Sequence, residues 1–427
     1  MSLKKEKYLE RLIDPKIEKY LKIFGAVSIE GPKWCGKTWT SLNHSNSVTY
    51  MTERSPRDLA SVDPKYIFTK ERPQLIDEWQ LVPSIWDAVR HECDNDHDKG
   101  KFILTGSTTL TKNENEEEVF HSGTGRIASM KMYPMSLYES KDSTGDVSIE
   151  DMLNNKAKCK YIRKVELDEL AKLIVRGGWP ENIDNNLEDI GIIPKSYIDS
   201  IINKDINERK DKKRDSNKMR MLIRSLSRNE SSIAGVETII KDIEEYETSD
   251  ELLESRITVS DYISVLDSLY LTANQEAFSI NYRSSKRIGK SPKRHLVDPS
   301  LACASLDLSI EKLLNDHHTF GLMFESLVER DLRIYMDYLD GHVYHFRDNI
   351  SGDEVDAILE FRDGNYGAVE IKLSDGNIEE AKKSLMKFYK NVEKKPKFMC
   401  IIVGHYEAVI QDKETGIYII PITSLRP

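Results

Sequence analysis

The residues best suited to chemistry lie in Gly31-Pro32-Lys33-Trp34-Cys35-Gly36-Lys37-Thr38, which follows the apolar stretch Ala26-Val27-Ser28-Ile29. The octapeptide fits G-x-x-x-x-G-K-[ST], a loop whose backbone amides cradle phosphate oxygens. Gly31 and Gly36 allow torsions and a closeness of approach that a side chain would prevent. In such a loop Lys37 reaches the β- and γ-phosphates and the Thr38 hydroxyl meets Mg²⁺. A helix opening at Lys37 would add the partial positive charge of its N-terminus. The spacing predicts that residues 31–38 bind a nucleoside triphosphate, ATP, with Mg²⁺.

Further candidates lie downstream. Asp77-Glu78 closes the apolar run Gln74-Leu75-Ile76. An aspartate there suits the Mg²⁺ shell, and the adjoining glutamate is set to orient or deprotonate an attacking water. Ser107 ends the next apolar run, 101–107, where a polar side chain can sense the γ-phosphate. Arg126 is a candidate arginine finger for a neighbouring subunit's nucleotide, which would require a homo-oligomer. Each also has a plainer reading: an acidic strand end, turn chemistry, a surface arginine.

A second constellation lies near the C-terminus. Asp356 precedes Glu370-Ile371-Lys372, and on a strand positions 370 and 372 face the same side. Asp356 and Glu370 can share a divalent metal, Lys372 can position or activate water, and Glu325 can turn toward the same ion. Such hard oxygen donors suit Mg²⁺ or Mn²⁺. The order Glu325, Asp356, Glu370-x-Lys372 resembles the restriction-endonuclease-like phosphodiesterase fold, many members of which keep the shape and lack cleavage. The same residues also fit plain strand surfaces. His345 and Arg347 receive no role; a lone histidine there is more often structural.

The elements that must position these groups alternate. Strands are expected at 26–29, 47–51, 74–77, 101–107 and 126–132, with helices after the phosphate loop and over 83–91, which implies a parallel sheet with helices on both faces. Residues 1–25 carry apolar side chains at helical spacing. The middle, from about 150 to 310, is charged and helical. It holds three helical segments within 236–271, a turn at 255–258, and a winged-helix pattern around the basic loop 283–294. Beyond 320 a helix (320–338), strands (343–346, 354–360, 366–372), a helix (377–391) and a strand (397–403) return to α/β. The fold class expected is α/β in three parts: a P-loop ATPase domain over 1–145, a helical lid and winged-helix region over 146–310, and a nuclease-like domain over 311–427.

Composition sets limits. The chain has 427 residues, 39% of them apolar and 31% charged, which fits an ordinary globular protein of two or three domains. No apolar run is long enough for a bilayer span, and the charged start Met1-Ser2-Leu3-Lys4-Lys5 shows no secretory signal, so cytoplasm is the expected compartment. Five cysteines (35, 93, 159, 303, 400) lack zinc or disulfide spacing. A net charge of -10 opposes unspecific attraction to nucleic acid, although 210–224 and 283–294 are locally basic.

The chain resembles the predicted AAA+ superfamily ATPases of bacteria and archaea, which carry a C-terminal domain of unknown function. The resemblance is carried by residues 31–38, Leu75 to Pro83, Phe102 to Ser107, Gly125-Arg126-Ile127 and Tyr133-Pro134-Met135-Ser136-Leu137-Tyr138-Glu139. It continues through Arg176-Gly177-Gly178-Trp179-Pro180-Glu181, Ser291 to Asp298 and Gly321 to Val328. It implies ATP binding, a winged-helix middle and a nuclease-like C-terminal fold, without a single cellular role. Trp34, Cys35 and Trp39 depart from the commoner residues, at positions whose side chains do not touch phosphate. The reading is an ATP-hydrolysing protein that couples nucleotide state to a nuclease-like domain with a nucleic-acid partner, DNA before RNA. The rival is an ATP-gated interaction module with a silent nuclease fold. A third is an NTP-powered remodeller of a protein partner.

Overall fold

The computed structural model describes residues 3–95, 98–109, 122–185, 190–205, 215–244, 256–279, 291–348 and 352–427. The chain forms two compact units, Met1–Pro134 with Leu266–Leu271, and Met135–Val265 with Thr272–Pro427.

The first unit holds α1 (Asp14–Leu21), β1 (Ala26–Glu30), α2 (Lys37–Asn43), β2 (Ser47–Tyr50), α3 (Arg54–Val62), β3 (Gln74–Asp77), α4 (Ser84–Asn95), β4 (Phe102–Gly106) and β5 (Ile127–Lys131). All its strand pairs are parallel, in the order β2-β3-β4-β1-β5. Side chains alternate across a strand, so the apolar runs supply both faces. Ala26, Ile76, Phe102 and Leu104 pack with Ile85 and Val89 of α4. Val27, Ile29, Leu75 and Ile103 pack with Ile17 of α1 and Leu42 of α2. Because every strand runs the same way, the segments that follow β1, β3 and β4 leave from one edge of the sheet, the edge where open parallel sheets bind ligands.

The five strands sit where the apolar runs predict. The helix expected over 1–25 shrinks to Asp14–Leu21. Pro15 is the reason: it suits a first turn, but inside a longer helix it would remove a hydrogen bond and clash with the preceding turn.

The second unit continues with β6 (Val147–Ser148), α5 (Ile149–Leu153), β7 (Lys160–Tyr161), α6 (Leu167–Arg176), α7 (Ile192–Ser200), α8 (Ser216–Arg228), α9 (Val236–Glu244), α10 (Arg256–Ser268), α11 (Pro299–Ser305), α12 (Ile310–Asn315) and α13 (His317–Tyr338). It ends with β8 (His342–Asp348), β9 (Asp353–Glu360), β10 (Tyr366–Ser374), α14 (Ile378–Asn391), β11 (Phe398–His405), β12 (Ala408–Gln411), β13 (Tyr418–Pro421) and β14 (Leu425–Arg426). The last three residues of α10 and the turn after it, Leu266–Leu271, belong to the first unit. A seven-stranded sheet runs β7-β12-β13-β11-β10-β9-β8. Strands β8, β9 and β10 form an antiparallel meander, and α14 crosses over to β11, which pairs with β10 in parallel. Val355, Ile358, Ala368, Ile401 and Val403 pack against Leu385 and Phe388 of α14.

The helix and strands expected beyond residue 320 are all present, while β12 to β14, together with β6 and β7, extend what the sequence pattern suggests. The turn expected at 255–258 is instead the start of α10. Residues 245–255, inside the stretch 236–271 expected to hold three helical segments, lie outside the described residues. So do 210–214 of the first basic run and Arg283, Lys286, Arg287 and Lys290 of the second. Thr272 bridges Leu296 and Gln275 bridges Lys293, both antiparallel, while Ala277 bridges His345 of β8.

A buried ion network ties the helical layer together. The Arg330 guanidinium on α13 bonds Asp298 Oδ2 at 2.8 Å and Asp331 Oδ1 at 2.7 Å. Asp298 caps α11 and accepts the Gly178 amide at 2.9 Å, and Asp331 accepts the Leu137 amide at 2.9 Å. The motifs around residues 137, 178 and 298 thus have a structural use in this network. Arg330→Met should leave two buried aspartates without their cation and lower stability by about 3–5 kcal/mol, read as a reduced midpoint of chemical denaturation.

Candidate active site

Backbone geometry builds the phosphate loop. Gly36 has φ +101° at the N-terminal boundary of α2, in the region that favours glycine, and a Cβ on Gly31 would lie 2.2 Å from the Met132 carbonyl oxygen. Lys37 Nζ is drawn into the loop, donating to Gly31 O at 3.0 Å and Pro32 O at 2.8 Å. Pro32 is buried and Lys33 half-buried. Of the unusual residues, Trp34 is 56% exposed, whereas Cys35 is buried in the core.

The acids predicted to work with this loop come together with it. Asp77 Oδ1 accepts the Thr38 hydroxyl at 2.8 Å and the Thr105 hydroxyl at 2.7 Å. Burial raises the Asp77 carboxyl above its ordinary range, and the two hydroxyl bonds partly offset this. Thr105 also accepts the Glu78 amide at 3.0 Å. Glu78 Oε2 accepts Ser107 Oγ at 2.8 Å and is bonded by Gln80 Nε2, which lies 3.3 Å from Ser107 Oγ. Thr38, Asp77, Glu78 and Ser107 therefore form one connected polar cluster, with Thr105 and Gln80 as members the sequence reading missed. The signal for Thr105 was its place as the one hydroxyl in the apolar run of β4, one residue before the strand ends at Gly106.

Arg126 is elsewhere. It directly precedes β5, and its carbonyl accepts the Ala26 amide, which puts it at the edge opposite the phosphate loop. Its side chain bonds Asp94 at 2.7 Å and is about half exposed. Within its own chain it does not join the cluster.

Two other residues brace the loop. Arg11, buried ahead of α1, donates to Cys35 O and Tyr133 O, each at 2.8 Å. Tyr270, brought in with Leu266–Leu271, donates to Glu30 Oε2 at 2.8 Å, and Thr109 Oγ1 bonds its hydroxyl at 2.9 Å. Glu30 is the last residue before the phosphate loop, and Thr109 lies just past Ser107.

The C-terminal constellation also assembles, but with an extra member. Lys372 Nζ lies 2.7 Å from Glu370 Oε2 and 3.4 Å from Asp356 Oδ2. Lys293 Nζ lies 2.6 Å from Glu325 Oε1 and 3.8 Å from Asp356 Oδ1. The result is an alternating row, Glu325, Lys293, Asp356, Lys372, Glu370. Asp356 Oδ2 also accepts the Ile371 amide at 2.8 Å, and Glu370 Oε1 accepts Ser384 Oγ of α14 at 2.9 Å. Burial and the Asp356 charge push Glu370 up to about 8. Burial likewise lifts Glu325 to about 7, against the pull of Lys293. Burial would raise Asp356 too, but Lys372 and Lys293 outweigh it and hold this carboxyl low. Among the described residues, no group of three or more His, Cys, Asp or Glu is arranged to hold a metal ion. Glu325, Asp356 and Glu370 carry oxygen donors of the right chemistry for Mg²⁺, but they are strung along a row whose two ammoniums already engage them, so in this arrangement they do not fit the ion expected from the spacing.

Lys293 was missed as a site residue, although it lies in the basic run and in the Ser291–Asp298 motif. His345 is buried, and its carbonyl accepts the Phe278 amide at 2.7 Å.

Residues 24–141 match the family model of the AAA domain. The phosphate loop thus lies in an AAA-type P-loop ATPase domain, a class that binds nucleotide, usually with Mg²⁺. Residues 167–312 match Domain of unknown function (DUF8612), and residues 320–425 match Domain of unknown function (DUF4143). No curated protein matches the chain. Among solved structures it is similar to the Walker-type ATPase PABY2304 of Pyrococcus abyssi, at 13% identity and TM-score 0.40, over 71% of this chain and 97% of that one. It is also similar to the ORC2 protein of Aeropyrum pernix, at 11% identity and TM-score 0.32, over 73% and 97%. A third is the RuvB Holliday junction branch migration motor of Thermotoga maritima, at 16% identity and TM-score 0.26, over 62% and 88%. No described helix is long and apolar enough to cross a membrane.

One buried acid outside the row predicts a pH effect. Glu230 is 1% exposed and accepts the Leu296 amide and the Ser326 hydroxyl; burial pushes its carboxyl up to about 8. Between the ordinary value near 4.5 and about 8 the folded protein then holds a proton that the unfolded chain has lost. Its contribution is greatest below that window and disappears as pH rises through it. Thermal melts from pH 5 to 8.5 should show this decline, and Glu230→Gln should reduce its slope, the remainder coming from Glu325 and Glu370, which burial also lifts.

Proposed function

We propose that the protein hydrolyses ATP and couples its nucleotide state to a C-terminal nuclease-like domain. The observation that carries the first half is the single polar cluster of Thr38, Asp77, Glu78 and Ser107 beside the phosphate loop. In this reading Lys37 exchanges the loop carbonyls for the β- and γ-phosphates. Thr38 and Asp77 offer adjacent hard oxygens to Mg²⁺, which supplies charge neutralisation when bound. Glu78, held by Ser107 and Gln80, orients the water, and Ser107 reads the γ-phosphate. Arg126 acts in trans on a neighbouring copy, so the working form is a homo-oligomer. The protein is taken to be cytoplasmic.

Coupling is supported by Tyr270. Its hydroxyl joins the residue before the phosphate loop to the segment after Ser107, and it lies on the stretch that follows α10. The C-terminal domain is read as restriction-endonuclease-like from its meander, crossover and parallel strand, with nucleic acid, DNA before RNA, as the partner and residues 146–310 as lid and winged helix.

A second reading has its own observation. Lys293, which engages Glu325 and Asp356 in addition to the Lys372 expected there, favours a nuclease fold without metal-dependent cleavage, and hence an ATP-gated interaction module.

ATP binding and hydrolysis should both collapse in Lys37→Ala. Glu78→Gln should keep nucleotide binding and lose about 10²–10⁴-fold in kcat. Normal turnover by Lys37→Ala would refute the assignment. For the second unit, metal-dependent cleavage of DNA or RNA by the parent, lost in both Asp356→Ala and Lys372→Ala, would decide for a nuclease; no cleavage by the parent would decide for the silent module.

A further inference from the structure

We infer that Lys293 is a resident cation that takes the place of a divalent metal between Glu325 and Asp356, and that neutralising it converts this pair into a Mg²⁺- or Mn²⁺-binding site. The inference rests on the nuclease-like reading, because that reading makes these carboxylates candidates for a metal.

Lys293 is built into this position. Its backbone exchanges two hydrogen bonds with Gln275, each 2.9 Å long, and the Gln275 side chain donates to the Asp356 carbonyl at 3.1 Å. The same short segment therefore holds both the lysine and the strand that carries its acid. The Lys293 side chain is only 4% exposed, so its ammonium depends on Glu325 and Asp356 for the solvation that water would give. Asp356 in turn directs Oδ1 to Lys293 and Oδ2 to Lys372 and the Ile371 amide. A metal ion needs those same lone pairs.

Charge balance points the same way. Glu325 and Asp356 share the Lys293 ammonium, and a divalent ion added beside it would meet that cation within bonding distance of its ligands. Without the Lys293 ammonium these two carboxylates carry two negative charges, the charge of one such ion, while Lys372 stays on Glu370 and Asp356 Oδ2. Glu325 and Asp356 Oδ1 then face the vacated place with oxygen donors, which suits Mg²⁺ and Mn²⁺. Methionine approximates the lysine stem in length and volume, so Lys293→Met removes the charge with little loss of packing.

The test uses the full chain without nucleotide and Mn²⁺ as the probe, followed by water-proton relaxation and thermal melts. The parent is expected to show no Mn²⁺ site that depends on Asp356. K293M is expected to gain one, with a rise in Tm of roughly 3–8 °C at Mn²⁺ about 100-fold above its Kd, and to lose it again in K293M/D356N. Asp356-dependent Mn²⁺ binding by the parent would overturn the inference, as would a folded K293M with no new site. Should K293M fail to fold, K293M and K293Q are refolded with and without MnCl₂. Recovery only with Mn²⁺ supports the exchange, and recovery with neither, or equally in both, overturns it. The readout is metal binding rather than strand cleavage, so failure of the nuclease reading and failure of the exchange give different results.

Discussion

A charge withdrawn from water has to be met by opposite charge or by hydrogen bonds, and Arg330 is where the second unit meets that demand most completely. Its guanidinium joins Asp298 and Asp331, which in turn receive the Gly178 and Leu137 amides. Four stretches far apart in the chain thus converge on one buried cation on α13. That helix also carries Glu325, so the place of the C-terminal acidic row depends on the same anchor. Such a network contributes less net stability than its bonds suggest, because desolvation offsets much of the gain. Its consequence is geometric: any other packing would strand a buried charge.

The same rule operates in the first unit on a smaller scale. Asp77 is buried beside the phosphate loop, and the hydroxyls of Thr38 and Thr105 satisfy the oxygen that burial would otherwise leave exposed to a low dielectric. One hydroxyl comes from the start of α2 and the other from β4, so this one carboxylate also sets the distance between the two segments. Arg11 and Tyr270 extend this bracing outward to the loop carbonyl at Cys35 and to Glu30.

How much was legible in the chain alone follows the range of the interaction. The phosphate loop is a local device, in which two glycines, a lysine and a threonine at set spacing suffice, and it stands where its sequence says. The strands are legible because a parallel sheet covered on both faces demands continuous apolar runs. Apolar spacing misled at the N-terminus, where Pro15 overrode a pattern that read as helix over 1–25. Arg126 shows another limit: its type suits a finger, but only the strand register reveals that it leaves the sheet at the edge away from the loop in its own chain.

The residues that could do chemistry divide along the same line. By itself the sequence determined the phosphate loop, the acids that follow it, and the alternation that places Glu370 and Lys372 on one side of β10. Each depends on neighbours a few positions apart. Tertiary structure alone decided that Tyr270, from far down the chain, reaches the first unit, and that Lys293 stands between Glu325 and Asp356. Those contacts depend on chain segments brought together by burying apolar surface and pairing buried charge, and neither process leaves a spacing to read.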